Sequence, residues 1–186
     1  MQPLRLLAVI LSICGAWAVS AEPVIPAKDL TALIEQTFGA MASPASDGKD
    51  STFPRYLRAS LHNDDLEDLV VAILVDKAKG TLDARGIKPV SVDGQRSVDA
   101  AVGQHCLGLA FLHGSNRTRP FKPASVYMLY ECFSGYAKVR AGAKLLSNAK
   151  VPTQNDAVLL DLESGGQMLI YWNNGEYNAK YVRRGD

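Results

Sequence analysis

The stretch that decides the fold is Asp156-Ala157-Val158-Leu159-Leu160-Asp161-Leu162-Glu163-Ser164-Gly165-Gly166-Gln167-Met168-Leu169-Ile170-Tyr171-Trp172-Asn173-Asn174-Gly175-Glu176-Tyr177-Asn178-Ala179-Lys180-Tyr181. Asn174-Gly175 is the preferred dipeptide of a two-residue hairpin turn, because both central positions of that turn need positive φ. Folding the chain there pairs Trp172 with Tyr177, Ile170 with Ala179 and Met168 with Tyr181 on one face. Upstream, Ser164-Gly165-Gly166 reads as a three-residue loop. It sets Leu162 against Met168, Leu160 against Ile170 and Val158 against Trp172 on that same face. A two-residue loop would turn Asp161 and Glu163 toward the core instead. The spacing therefore predicts three antiparallel strands with one apolar face. The other face carries Asp161, Glu163, Asn178 and Lys180, and its Leu159, Leu169 and Tyr171 need a cover, for which the N-terminal helix is the candidate.

A second hairpin is found by asking which register aligns two cysteines. Setting Cys106 opposite Cys132 in the segments 106–112 and 126–132 also sets Leu109 opposite Leu129, Ala110 opposite Met128, Phe111 opposite Tyr127 and Leu112 opposite Val126. One register satisfies the cysteines and the packing together. Both faces are apolar, so this hairpin is expected at the centre of the sheet.

The compartment follows from the N-terminus. Arg5, an apolar run from Leu6 to Ile13 interrupted only by Ser12, and the small-residue stretch Ala18-Val19-Ser20-Ala21 have the order of a secretory signal with a cut near Ala21. The run is too short to cross ~30 Å of hydrocarbon. A lipoprotein signal at Cys14 is the alternative; Ile13 is bulky where such signals want a small residue. Export leaves Cys106 and Cys132 as the cysteines of the mature chain. In an oxidising compartment such a pair reads as a disulfide, with a free reactive thiol as the other option. Of 20 basic and 19 acidic residues the signal removes only Arg5, so the mature chain has 19 of each. A neutral balance argues against nucleic acid or an anionic membrane as partner.

Between the signal and the first hairpin, Pro26 followed by Leu30, Leu33, Ile34, Phe38 and Met41 predicts an amphipathic helix over 27–42, with Asp29 in its first turn. Residues 43–52 read as a solvated linker. Leu69 to Val75 is continuously apolar and rich in β-branched residues, which predicts a strand buried on both faces. Residues 80–94 read as loop with a short strand at 87–92, and 97–104 as a short helix. The expected organisation is a signal peptide (1–21), a helix and linker (22–52) and a β-rich domain (53–186). The expected fold is α+β, with the N-terminal helix packed on a mainly antiparallel sheet of about six strands.

The run Asp156 to Gly166 followed by Leu169-Ile170-Tyr171-Trp172-Asn173-Asn174-Gly175-Glu176-Tyr177 resembles the ending of small exported bacterial proteins of unknown function, whose last hairpin is shared loosely with FG-GAP-like β-repeat modules. The likeness covers about the last 30 residues, with a weaker one at Ser60 to Val75. It implies a calcium-binding loop ahead of a buried strand. Here Asp68 would be the last acidic ligand and Asp64 an earlier one, with Ser60, His62 and Asp65 departing from the pattern. A hard cation wants six to eight oxygens, so the competing reading is an acidic turn without a cofactor.

No catalytic set is spaced for a known chemistry. There is no nucleophile elbow, and His62, His105 and His113 lack the spacing of a zinc motif. Four acids, Asp64, Asp68, Asp161 and Glu163, would have to converge in space to serve a small cell-envelope hydrolase. The long connection His113 to Ser125 carries Arg117, Arg119 and Lys122, punctuated by Pro120 and Pro123, and long loops on a rigid scaffold often bind. The leading expectation is a non-enzymatic binding or interaction module, periplasmic or secreted, that meets an acidic protein or envelope partner through these cations. The hydrolase and a calcium-stabilised structural module are the alternatives.

Overall fold

The computed structural model describes residues 24–45, 54–62, 66–76, 82–92, 95–96, 107–114 and 121–183. The protein is mostly β, with a helix packed on a sheet as expected. Among the described residues there are two six-stranded sheets, where the sequence predicted one. In the first sheet, β1 (Ala42–Pro44) and β2 (Leu57–Ala59) both pair with β3 (Asp68–Val75), followed across the sheet by β7 (Leu107–Gly114), β8 (Pro123–Glu131) and β4 (Lys88–Pro89). The second sheet runs β6 (Gln95–Arg96), β5 (Ser91–Val92), β12 (Glu176–Arg183), β11 (Gln167–Asn173), β10 (Ala157–Leu162), β9 (Phe133–Val139). Among the described residues the β4–β8 and β5–β12 pairs are parallel and the others antiparallel.

The physical reason for two sheets lies in the continuous apolar run. Along β3, Val70 and Ala72 point into a core shared with Val158, Leu160, Met168, Ile170 and Tyr177 of the second sheet. Leu69, Val71 and Ile73 point the other way, onto Leu30, Ile34 and Phe38 of helix α1 (Ala27–Phe38). A strand whose alternate residues face two apolar layers must be apolar throughout. The chain changes sheets twice with one residue between strands: at Cys132 between β8 and β9, and at Val90 between β4 and β5.

Local expectations fare differently. Helix α1 passes into a 3₁₀ turn at Gly39–Met41, close to the predicted end. The expected linker begins instead as β1, paired Ala42↔Val75 to Pro44↔Ile73 against the far end of β3, beyond the stretch that β2 covers. The strand expected over 87–92 is split into β4 and β5 about Val90. The central hairpin has the predicted register from Leu109↔Leu129 to Leu112↔Val126, and its strands extend to His113↔Ser125. Cys106, and with it the expected bridge to Cys132, lies outside the described residues, as do the signal segment, Cys14 and the helix expected at 97–104.

At the C-terminus, β11 and β12 pair Met168↔Tyr181, Ile170↔Ala179 and Trp172↔Tyr177 about a turn in which Asn174 and Gly175 have φ 53° and 85°. The preceding hairpin differs by two residues from expectation: Leu160 faces Met168 and Val158 faces Ile170. Its loop is Glu163-Ser164-Gly165, closed by Leu162 N donating to Gly166 O at 2.9 Å, with Gly165 at φ 80°. A type I turn followed by a left-handed residue makes this three-residue loop, and of the two glycines it is Gly165 that occupies that position. A two-residue shift keeps every side chain on its predicted face. The cover over Leu159, Leu169 and Tyr171 comes not from α1 but from α2 (Lys144–Asn148), with Leu146 and Val151 packed there. Helix α1 is committed to the first sheet, on the opposite side of the molecule.

Candidate functional site

Asp68 opens β3 and His113 is the last residue but one of β7, one step beyond the Leu69↔Leu112 pair, so the antiparallel ladder delivers both to the same end of the sandwich. Their alternation with Val70 and Phe111 turns both toward the space between the sheets. There Asp68 is 0% exposed and His113 3%, in a core otherwise apolar apart from Ser91. Buried polar groups of this kind are the informative ones, because each must be satisfied internally.

Asp68 is satisfied by three N–H groups. Its Oδ2 accepts from Leu61 N and from His62 Nδ1, each at 3.0 Å, and its Oδ1 accepts from Gly114 N at 3.2 Å. Burial pushes its carboxyl above the usual 3.8, while His62 and the two amides pull the other way. His113 has its Nε2 2.8 Å from the Tyr177 hydroxyl and its Nδ1 3.2 Å from Ser125 Oγ. The His62 and His113 rings stack face to face, 3.9 Å between centroids and 17° between planes. Trp172 stands edge-on to His113 at 4.9 Å and to Tyr127 at 5.6 Å. Lys88 Nζ lies over the Tyr127 ring at 5.3 Å. His62, Trp172 and Ser125 are partly exposed, so this end of the inter-sheet core reaches the surface.

Donor atoms of His62, Asp68 and His113 lie within 4.8 Å of one another, which invites a test as a metal centre. The geometry fails it. Imidazole lone pairs lie in the ring plane, and two near-parallel stacked rings direct theirs side by side, whereas zinc needs them to converge about 2 Å from each nitrogen. Both nitrogens of His113 are hydrogen-bonded, and Asp68 faces three N–H donors. A calcium cage fits no better at the described residues: the Asp68 oxygens are turned inward onto those donors, and Ser60 N donates to Asp156 Oδ2 at 3.1 Å.

Of the other residues singled out in the sequence, Lys122 is exposed just ahead of β8, whereas Arg117, Arg119, Asp64, Asp65 and His105 lie outside the described residues. Asp161 is exposed and accepts from Gln167 Nε2 at 2.8 Å, and Glu163 is exposed in its hairpin loop. Neither joins Asp68, so among the described residues the acids do not assemble the catalytic set a hydrolase of that kind needs. The meeting of Asp68 with His113, to which His62 is joined through its hydrogen bond to Asp68, was missed because their spacing in sequence fits no motif. The signal that finds it is the β3–β7 register: polar residues ending adjacent antiparallel apolar strands must meet. No family model, no curated protein and no solved structure matches the chain.

Proposed function

We propose that this chain is an exported binding module, periplasmic or secreted, that holds an acidic, carboxylate-bearing partner of the cell envelope at the Asp68–His113 end of the sandwich. The observation that supports it is the fixing of two chain departures by one buried carboxylate. Asp68 holds Leu61 and His62, where the acidic turn leaves, and Gly114, where the connection bearing Arg117, Arg119 and Lys122 leaves. Cations on a connection with an anchored base lose less entropy on binding than cations on a free one. Trp172, His62 and Lys88 at the same end add flat, hydrogen-bonding and cationic surface.

The test is retention of the exported protein on soluble, carboxylate-rich peptidoglycan fragments. Binding should weaken with added salt and fall at least tenfold when Arg117, Arg119 and Lys122 are replaced by Ala. Absence of retention, or retention unchanged in the triple variant, overturns the reading.

A further inference from the structure

His113 and Ser125 are direct cross-strand partners, so the 3.2 Å contact between Nδ1 and Ser125 Oγ is set by the ladder itself. On its other side the ring is held by the hydroxyl of Tyr177, a fully buried side chain, at 2.8 Å from Nε2. Hydroxyl, base within hydrogen-bond reach, and a third group that orients the base are the elements of an activated nucleophile. The base is buried and the serine sits at the partly exposed rim. The Asp68 carboxylate comes within 4.8 Å of the His113 ring, placing negative charge beside an imidazole that must become cationic during reaction.

We propose that Ser125 is a nucleophile with His113 as its general base, and that this end of the sandwich hydrolyses esters. Nε2–H donates to the Tyr177 oxygen, which leaves the Nδ1 lone pair facing Ser125. Ser125 Oγ adds to the ester carbonyl carbon while its proton passes to Nδ1. The adduct expels the alkoxide, which takes that proton and leaves as the alcohol. Water then adds to the acyl-serine and gives a proton to Nδ1. Collapse releases the acid and returns the proton to Ser125, so that ester and water become acid and alcohol. Lys88 Nζ, 3.5 Å from the Tyr127 hydroxyl two residues further along the same strand face as Ser125, favours substrates carrying negative charge. The proposal goes beyond the binding reading and stands on described residues alone.

The experiment treats the exported protein with a fluorophosphonate probe and maps the adduct, with p-nitrophenyl acetate as the turnover substrate. One adduct is expected, on Ser125, and none in Ser125→Ala. His113→Gln, which retains hydrogen-bonding groups, should label about a hundredfold more slowly. Tyr177 is a positioning residue, so Tyr177→Phe should shift the pH profile of labelling as well as its rate. Folded protein, verified by circular dichroism, that gives no adduct on Ser125 overturns the proposal. So does an adduct that forms equally fast in His113→Gln. Either result leaves retention on peptidoglycan fragments untouched, which separates this failure from failure of the binding reading.

Discussion

Replacing Gly114 with Ala tests how tightly the site is built. A Cβ there would stand 2.5 Å from the carbonyl oxygen of Glu67 and 3.4 Å from Phe121 Cε2. The first distance lies below the 3.0 Å that Cβ atoms essentially never breach, and the obstacle is backbone, which cannot swing aside as a side-chain tip can. Relief requires β7 and the start of β3 to part by roughly half an ångström, enough to carry the 3.2 Å Gly114 N to Asp68 Oδ1 bond out of hydrogen-bond range. Overpacking of this kind costs about 1–3 kcal/mol, and a lost hydrogen bond to a charged group about 1.5–3 kcal/mol. Because separation relieves the clash as it breaks the bond, the lower halves apply, giving about 3 kcal/mol. For a domain of this size that lowers Tm by about 6–12 °C. Gly135→Ala is the control: its Cβ meets only Asp161, at 3.6 Å or beyond, and should be neutral or slightly stabilising. Urea unfolding of both variants, followed by far-ultraviolet circular dichroism, measures the difference. Gly114→Ala within 0.5 kcal/mol of the control, a margin of about ordinary surface-substitution size, would refute the close-approach argument.

Burial raises the Asp68 carboxyl above 3.8, so the folded state holds its proton more readily than the unfolded chain. The resulting stability is full below the unfolded value and is lost as pH rises through the folded one. The stability of the wild type relative to Asp68→Asn should therefore shrink as pH climbs from about 4, and a gap that widens with pH reverses the reading. Gly175 has φ 85° with nothing within 4 Å of a built Cβ, so Gly175→Ala should cost about 1 kcal/mol through backbone conformation alone; a loss of a few tenths in urea unfolding would contradict it. The bridge between Cys106 and Cys132 is an expectation of the sequence. Such a bridge should make unfolding sensitive to a reductant by about 3 kcal/mol, and equal melting with and without reductant would exclude it.

The hairpins were legible because their determinants are local. Asn174-Gly175 specifies its own turn, and the apolar pairs from Leu109↔Leu129 to Leu112↔Val126 leave one acceptable register. The loop formed at Glu163 to Gly165, one residue before the expected position and shifting the register by two, because neighbouring glycines compete for one left-handed position, a choice that alternation cannot register. The second sheet was not legible, since a strand apolar on both faces, such as Leu69 to Val75, states that two layers cover it without saying whether each is helix or sheet. Helix α2 is short, and Leu145 and Leu146 are too few to show a period. The site was hidden for a related reason. Asp68 and His113 looked like ordinary strand-end residues, and only the β3–β7 pairing makes them neighbours. Ser125 carries no local signal at all, because its partner is set by a ladder rather than by a motif.

The central claim, that the Asp68–His113 end receives an acidic partner, is tested most directly by the fluorescence of Trp172. The other tryptophan, Trp17, lies in the segment read as a signal peptide, so protein prepared as residues 22–186 carries Trp172 alone and its emission reports on this end. Titration with soluble peptidoglycan fragments is expected to give a saturable change that weakens with salt and disappears in the Arg117→Ala, Arg119→Ala, Lys122→Ala variant. Emission that stays constant while the fragments bind would place the partner elsewhere on the molecule and contradict the account.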